Sequence, residues 1–440
     1  MSSAPKIIRR LSLATMALSL SIPISVALGT GLISTSDYAA AEVSANETKD
    51  VTTSPSASNA SGSSSTSGTT TNANATANAT TNATTTAADW KAKEEQAETS
   101  FIAGNYSEAE KQWQEAIALS EKDNSLNLAE TLNQMTHLYI KQQRYDEART
   151  SLIKALAIRE KALGKSSEKT AETQGNLALI EHKTGHDLEA EKLYKQVIET
   201  KRKAKSAPSL AITLTNLANL YAEMKRLDEA KTLYLEALEI DKKAYGLDHK
   251  ETAQDLFNIA AMYYQHNYNK EAIGYFKQSL AVYTKLDDAQ GRVKAYHYLG
   301  LCYGEENQHA EAIEAYKKAL QIHTKLKGDR HPDTYVHQLN LARSLDHTGN
   351  IEEAEKLYKD AVGAATVNHR NAKIKMVECT LEYAHFLKRH KRASEAEQLL
   401  KEILPTYETL SASDRRQLYE LPRAYSDLLK ELKQESAADA

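Results

Sequence analysis

The chain is short of the residues that punctuate a fold. Of its 440 residues, 16 are glycine and 7 are proline, too few for a fold of many short strands and tight turns, so long helices are expected. Cysteine occurs twice and forms no cluster at the spacing a zinc site needs. Phenylalanine occurs 4 times against 23 tyrosines. A surplus of either charge is also missing. The formal net charge is -4, so the broad basic surface that nucleic acid requires is not expected. No G-x-S-x-G, H-E-x-x-H or phosphate loop occurs, and with no catalytic or metal-ligating constellation the chain reads as a non-enzyme that needs no cofactor.

The amino-terminal part is unlike the rest. Lys6, Arg9 and Arg10 precede an uncharged run from Leu11 to Ile33, and Ala39 and Ala41 then stand in an A-x-A arrangement. Residues 1–41 therefore read as a signal peptide, with a membrane anchor through residues 11–33 as the alternative. Either way the bulk of the chain is expected to be exported: periplasmic, in the cell envelope, or secreted. Residues 42–89 read as a Ser/Thr/Asn/Ala-rich spacer. Between 51 and 88 there is neither charge nor aromatic ring, too little apolar surface to offset the entropy of ordering. Asn59, Asn74, Asn78 and Asn82 each open an N-x-S/T triplet, which such a composition produces by chance.

From there on one pattern repeats. Glu-Ala recurs with its alanine at 109, 148, 190, 230, 272, 312, 354 and 396, at intervals of 39, 42, 40, 42, 40, 42 and 42 residues. Four residues after each alanine stands a large residue: Trp113, Leu152, Tyr194, Tyr234, Phe276, Tyr316, Tyr358 or Leu400. Twelve before it stands a small one: Ala97, Thr136, Ala178, Ala218, Ala260, Gly300, Ala342 or Ala384. In the fourth copy Leu214, Leu217, Ala218 and Tyr221 form an apolar stripe at helical spacing. A turn is expected at 225–227, with Asp228 as N-cap of a second helix carrying Tyr234, Ala237 and Leu238, and Gly246 as its C-terminal stop. One such hairpin buries only part of its apolar surface, and stacked copies bury the remainder.

The positions of Ala218, Tyr221, Ala230, Tyr234 and Ala237 resemble those of the tetratricopeptide repeat. The long period and the connections GLDHKETA (246–253) and GDRHPDTY (328–335) resemble its kinesin light chain variety. The resemblance spans roughly residues 90–405 and implies an all-α, right-handed superhelical solenoid of about eight helix-turn-helix repeats, here over 90–412. Residues 413–440 read as a capping helix and tail, kinked at Pro422. Cys302 and Cys379 fall on the first helices of repeats six and eight, too far apart to bridge, and read as buried free thiols. The pairs His182/His186 and His385/His390 read as surface decoration, and KRKAK (201–205) as the ordinary positive end of a helix.

The first helices carry a polar row. Ile212, Asn216, Asn219 and Glu223 lie on one face, offset from the apolar stripe, and the register of Asn216 holds Asn176, Asn258 and Asn340 in three other repeats, Gln134 in the second, Tyr298 in the sixth and Glu382 in the eighth. In a stacked array that face lines the concave surface. A carboxamide offers a donor and an acceptor that match a peptide bond, and inner-face asparagines bind peptide backbones in the proteins this chain resembles. Asn176, Asn216, Asn219, Asn258, Tyr298, Asn340 and Arg343 are thus the candidate peptide-binding residues, and a protein or peptide is the expected partner. Two alternatives stand beside this. The asparagines could bond only to neighbouring helices, and the array could act as a scaffold or self-assembling envelope component through its convex or terminal faces.

Overall fold

A computed structural model describes residues 89–430 apart from 122–125, 329, 330, 332, 366–371, 419, 420, 428 and 429. The signal segment and nearly all of the spacer lie outside the described residues. The described chain is helical, with no strand among the described residues. It forms two compact units, one ending at Ile240 and the other starting at Asp241. The first holds α1 (89–102), α2 (Tyr106–Ser120), α3 (Leu126–Lys141), α4 (Tyr145–Leu163), α5 (Glu168–Lys183), α6 (Asp187–Ala204), α7 (Ala207–Glu223) and most of α8 (Leu227–Tyr245). The second holds α9 (Lys250–Gln265), α10 (Asn269–Lys285), α11 (Ala289–Glu305), α12 (His309–Lys327), α13 (Thr334–His347), α14 (Ile351–Ala365), α15 (Ala372–Arg389), α16 (Ala393–Glu408), α17 (Ala412–Gln417) and α18 (421–427). The helices pair in order, α5 on α6, α9 on α10, α11 on α12 and α13 on α14. First helices of adjacent repeats also touch, as α5 does α7 and α11 does α13.

The recurring residues sit where the helices meet. All eight alanines of the Glu-Ala pairs are fully buried. So are the alanines of the small position, and Gly300 in the sixth copy shows why that position must be small. A Cβ there would lie 2.6 Å from the ring of Tyr316, the large residue of its own repeat, so the two helices are in backbone-to-ring contact. The large residues are buried in every copy. Each hairpin therefore contributes a wedge of ring or Leu side chain seated on a small residue, the close packing that makes interiors intolerant of added volume.

The turn inside each hairpin is the same in all eight copies. The residue five before the Glu-Ala alanine has a left-handed backbone: Gly104, Gln143, Gly185, Lys225, Asn267, Asn307, Gly349 and Lys391. The next amide bonds back to the carbonyl five residues earlier, as Arg226 N does to Tyr221 O at 2.8 Å and Tyr268 N to Tyr263 O at 2.9 Å. This closure satisfies the carbonyls at the end of the first helix. Only three of the eight are glycine, so at Gln143, Lys225 and Lys391 the left-handed strain of about 1–2 kcal/mol is borne by a side-chain-bearing residue. That is how an array with so many turns manages on little glycine.

Two details depart from the sequence reading. Asp228 is not an N-cap. α8 begins two residues earlier than such a cap would set, at Leu227, with Asp228 and Glu229 in its first turn, because the closure at Lys225 puts the cap position on Arg226, whose carbonyl accepts from Ala230 N at 3.0 Å. The carboxyl-terminal segment is not one kinked helix. α17 stops at Gln417, Leu418 is a turn, and the described helical residues resume at Leu421, so Pro422 stands in a first helical turn, where its missing N–H costs nothing. Leu418 and Leu421 are buried against the core of the second unit. Gly246 ends α8 as expected, with φ +92°.

Candidate functional site

The polar row on the first helix of each hairpin (helix A, the second being helix B) is held more tightly than an open groove floor. Asn176 is 2% exposed and Asn258 1%. Asn216, Asn219 and Asn340 are each 7% exposed. In the first unit Asn176 Nδ2 donates to Asn133 Oδ1 on α3 at 3.2 Å, which ties the second repeat to the third. Asn219 Oδ1 accepts from the Tyr234 hydroxyl, closing its own hairpin. Asn216 Oδ1 is buried with no hydrogen-bond partner in the protein.

In the second unit the row contains other chemistry. Asn258 Oδ1 accepts from Gln254 Nε2 at 2.8 Å. Tyr298 packs edge-on to Phe257 at 5.3 Å and to Tyr264 at 5.8 Å, and burial pushes its phenol up to about 12. Arg343 Nη1 donates to Asn340 Oδ1 at 3.4 Å, and its Nη2 lies 3.0 Å from Glu382 of the next repeat. The structure thus joins Asn340, Arg343 and Glu382 into one chain of contacts, gathers Tyr298 into an aromatic cluster, and leaves Asn216 as the row's unsatisfied acceptor.

Three further arrangements lie outside the polar row. The first explains the glutamate of the Glu-Ala pair at three joints. Arg226 spans the joint between repeats three and four: Nη1 donates to Glu191 at 2.8 Å, Nε to Glu229 at 2.7 Å, and the guanidinium lies 3.9 Å above the Tyr221 ring. The Tyr221 hydroxyl completes it by donating to Glu191 at 2.9 Å. Arg144 with Glu110 and Glu147, and Arg392 with Glu355 and Glu395, repeat it. The Glu191 and Glu355 carboxyls are held down to about 2; burial opposes this, but the cationic and tyrosyl donors around them outweigh it.

The second is a ladder of buried polar residues eleven positions after the Glu-Ala alanine, each facing the first helix of the following repeat. Arg159 Nη1 donates to Thr173 Oγ1 at 2.7 Å, and Lys201 Nζ to Thr213 Oγ1 at 2.8 Å. Asp241 faces Asp255, and His323 faces His337 with ring centroids 5.1 Å apart. Burial and the closeness of the two acids raise both carboxyls, so the pair holds a proton well above the usual carboxylate range.

The third corrects the histidine reading in part, since His186 is exposed as expected. His182 is buried, with Nδ1 3.1 Å from Asp187 and Nε2 3.4 Å from Glu223, and His390 Nε2 lies 2.6 Å from Asp346. The KRKAK run disperses: Lys201 is buried, Arg202 pairs with Glu236 at 2.6 Å, and Lys203 pairs with Glu199 at 2.7 Å. Cys302 and Cys379 are free and buried, and burial raises both thiols.

Among the described residues no group of three or more His, Cys, Asp or Glu is placed to hold a metal ion, and no helix is long and apolar enough to cross a membrane. An open cleft of about 500 Å³ lies between α6 and α8, with Ile198, Leu217, Tyr221 and Leu233 in its wall.

The tetratricopeptide repeat model matches residues 127–203, 209–285 and 292–366. No curated protein matches the chain. Among solved structures, BtubC (BKLC) from P. vanneervenii is 23% identical, over 52% of this chain and 94% of its own, with a TM-score of 0.45. A Podosopora anserina protein with nearly identical TPR-like repeats of the kinesin light chain kind is 23% identical, over 45% of this chain and 95% of its own, at 0.41. A Rap protein solved with competence and sporulation factor is 17% identical, over 78% of this chain and 99% of its own, at 0.42. With over half its length matched in three consecutive blocks, and eight hairpins built on one small-residue, large-residue and turn register, the chain belongs to the tetratricopeptide repeat family.

Proposed function

We propose that this array is an exported module that holds an extended polypeptide segment along its helix-A face. Tetratricopeptide arrays are protein-interaction scaffolds, and the coarse function, non-catalytic protein binding, follows from the family. The finer reading rests on one observation: Asn216 keeps an acceptor with no partner in the middle of an otherwise bonded row. A buried unpaired acceptor costs about 1–3 kcal/mol, and a side-chain rotation that turns Asn216 Oδ1 outward to the backbone N–H of a bound segment would remove that cost. Export is supported by the Lys6/Arg9/Arg10, apolar-run and Ala39/Ala41 sequence.

A second reading has its own observation. Asn176, Asn219, Asn258 and Asn340 are already bonded within the chain, which suits braces between helices, and the cleft between α6 and α8 offers a surface on the helix-B side. On that reading the array is a scaffold that engages its partner away from the row.

The two readings separate on one pair of variants. Asn216→Ala should leave Tm unchanged or raise it, because alanine is the better helix former and the unpaired acceptor is gone. It should weaken binding of a partner recovered with residues 90–440 by about 0.5–1.5 kcal/mol. Asn176→Ala strips Asn133 of its partner and should lower stability by about 1 kcal/mol. Full affinity in Asn216→Ala moves the binding surface off the row. For export, sequencing the amino terminus of protein from its own host should find a start shortly after Ala41; a retained segment 1–33 would establish an anchor instead.

A further inference from the structure

The joint between repeats six and seven is built from imidazoles. His337 on α13 lies with its ring centroid 5.1 Å from His297 on α11 and 5.1 Å from His323 on α12, and His331 stands 5.4 Å from His323. His297, His323 and His337 are all buried. Both ring nitrogens of His297, Nε2 of His323 and Nδ1 of His337 have no hydrogen-bond partner in the protein. Rings are the other close neighbours: Tyr298 from α11 and Tyr316 from α12 stand 5.7 and 5.9 Å from His297. The titratable and charged groups outside the three rings that act on the cluster are His331, Asp333 before α13 and Lys327 at the end of α12, all of them on His323. Asp333 is engaged by Lys375 at 3.2 Å. A proton arriving here would find neighbouring imidazoles and apolar rings where it needs a carboxylate.

We infer that this joint is an acid-operated latch: it is closed while His297, His323 and His337 are neutral and loosens when they take up protons. Opening would hydrate three rings that the closed joint keeps dry and crowded together. Burial holds His297 down to about 4 and His337 well below its ordinary value, the latter with help from the charges of His297 and His323. The closed joint therefore binds fewer protons than the open one. Its stability is complete above about 6.5, the ordinary imidazole value, and drains away as pH falls from there through 4. At pH 5 one imidazole that titrates near 6.5 when open and near 4 when closed favours opening by roughly 30-fold.

The same chain contains an opposite control. Asp241 and Asp255, both in the second unit, meet through carboxyls that burial raises. Acid strengthens that contact and alkali weakens it, so general acid denaturation would not spare it.

Hydrogen exchange on the full chain at pH 7.5 and 5.0, corrected for the intrinsic pH dependence of exchange, tests the latch. Amides of α11, α12 and α13 should exchange at least about 30-fold faster at pH 5.0, while α5, α7 and α9 hold. The double variant His297→Phe/His337→Leu should lose this response. Loosening spread evenly over the array, or an undiminished response in the double variant, would overturn the latch. Should that variant not fold, proton NMR titration of the wild-type imidazoles decides: at least two resonances should titrate below pH 5.5, and ordinary titration near 6.5 for all of them refutes it.

Discussion

Arg159→Ala should lower the stability of the full chain by about 3–5 kcal/mol, with the loss centred on α4 and α5. The guanidinium is 1% exposed. Its Nη2 donates to Glu130 at 2.6 Å, and its Nη1 donates to the Lys169 carbonyl and Thr173 Oγ1 at 2.7 Å each. Glu172 lies 3.6 Å away, and burial already raises its carboxyl. Truncation removes the cation that two partly buried acids share and leaves a cavity the size of the stem. Arg159→Met separates those effects, since it fills much of the space but leaves Glu172 without its cation and Glu130 with only the exposed Lys169, 3.3 Å away. Urea unfolding measures the loss and hydrogen exchange locates it. A loss under about 1 kcal/mol in Arg159→Ala would mean that packing alone carries this joint.

One joint further on, the same register should give the opposite result. Lys201→Met is expected to stabilise the chain at pH 7 by about 1–4 kcal/mol. Lys201 is buried as deeply as Arg159, but its Nζ donates to two neutral acceptors, the Ser209 carbonyl at 2.9 Å and Thr213 Oγ1 at 2.8 Å. Burial pushes the ammonium from its ordinary 10.5 down to about 7. The folded value is depressed, so the unfolded chain binds more protons between those two pH values, and stability rises with pH across that window. Below it the buried charge costs on the order of 5 kcal/mol. Methionine keeps the stem and removes the charge, and Thr213 Oγ1 still donates to the Ser209 carbonyl. The wild-type chain should therefore gain stability between pH 7 and 10, and Lys201→Met should not. A destabilised variant would show that the two hydrogen bonds outweigh the cost of dehydrating the ammonium.

These two residues show how far a repeating sequence can be read. Arg159 and Lys201 occupy one register in successive repeats, followed by Asp241 and, two repeats later, His323. Periodicity aligns them and so marks the position. It does not reveal that the position is dry, nor that Arg159 finds a carboxylate while Lys201 does not. Glu130, the partner of Arg159, lies on α3, the first helix of the same hairpin, and only closing that hairpin brings it within reach. The histidine joint was invisible for the same reason. His297 and His337 are forty residues apart, each apparently isolated.

By itself the sequence determined the period, the helical hairpin, the buried alanine and the large residue that packs against it. Those features depend on spacing along one helix pair, and local geometry is enough to decide them. It also placed the eight turns, though not their left-handed residue, because only Gly104, Gly185 and Gly349 show the expected glycine while Gln143, Lys225 and Lys391 adopt the same conformation. The tertiary structure alone decided the fate of the polar groups. Whether Asn176 offers its amide to a ligand or to Asn133, and whether Glu229 faces water or clasps Arg226, depends on the neighbouring turn or repeat. A hydrogen bond is set by distance and dehydration, and neither quantity exists until the helices are stacked.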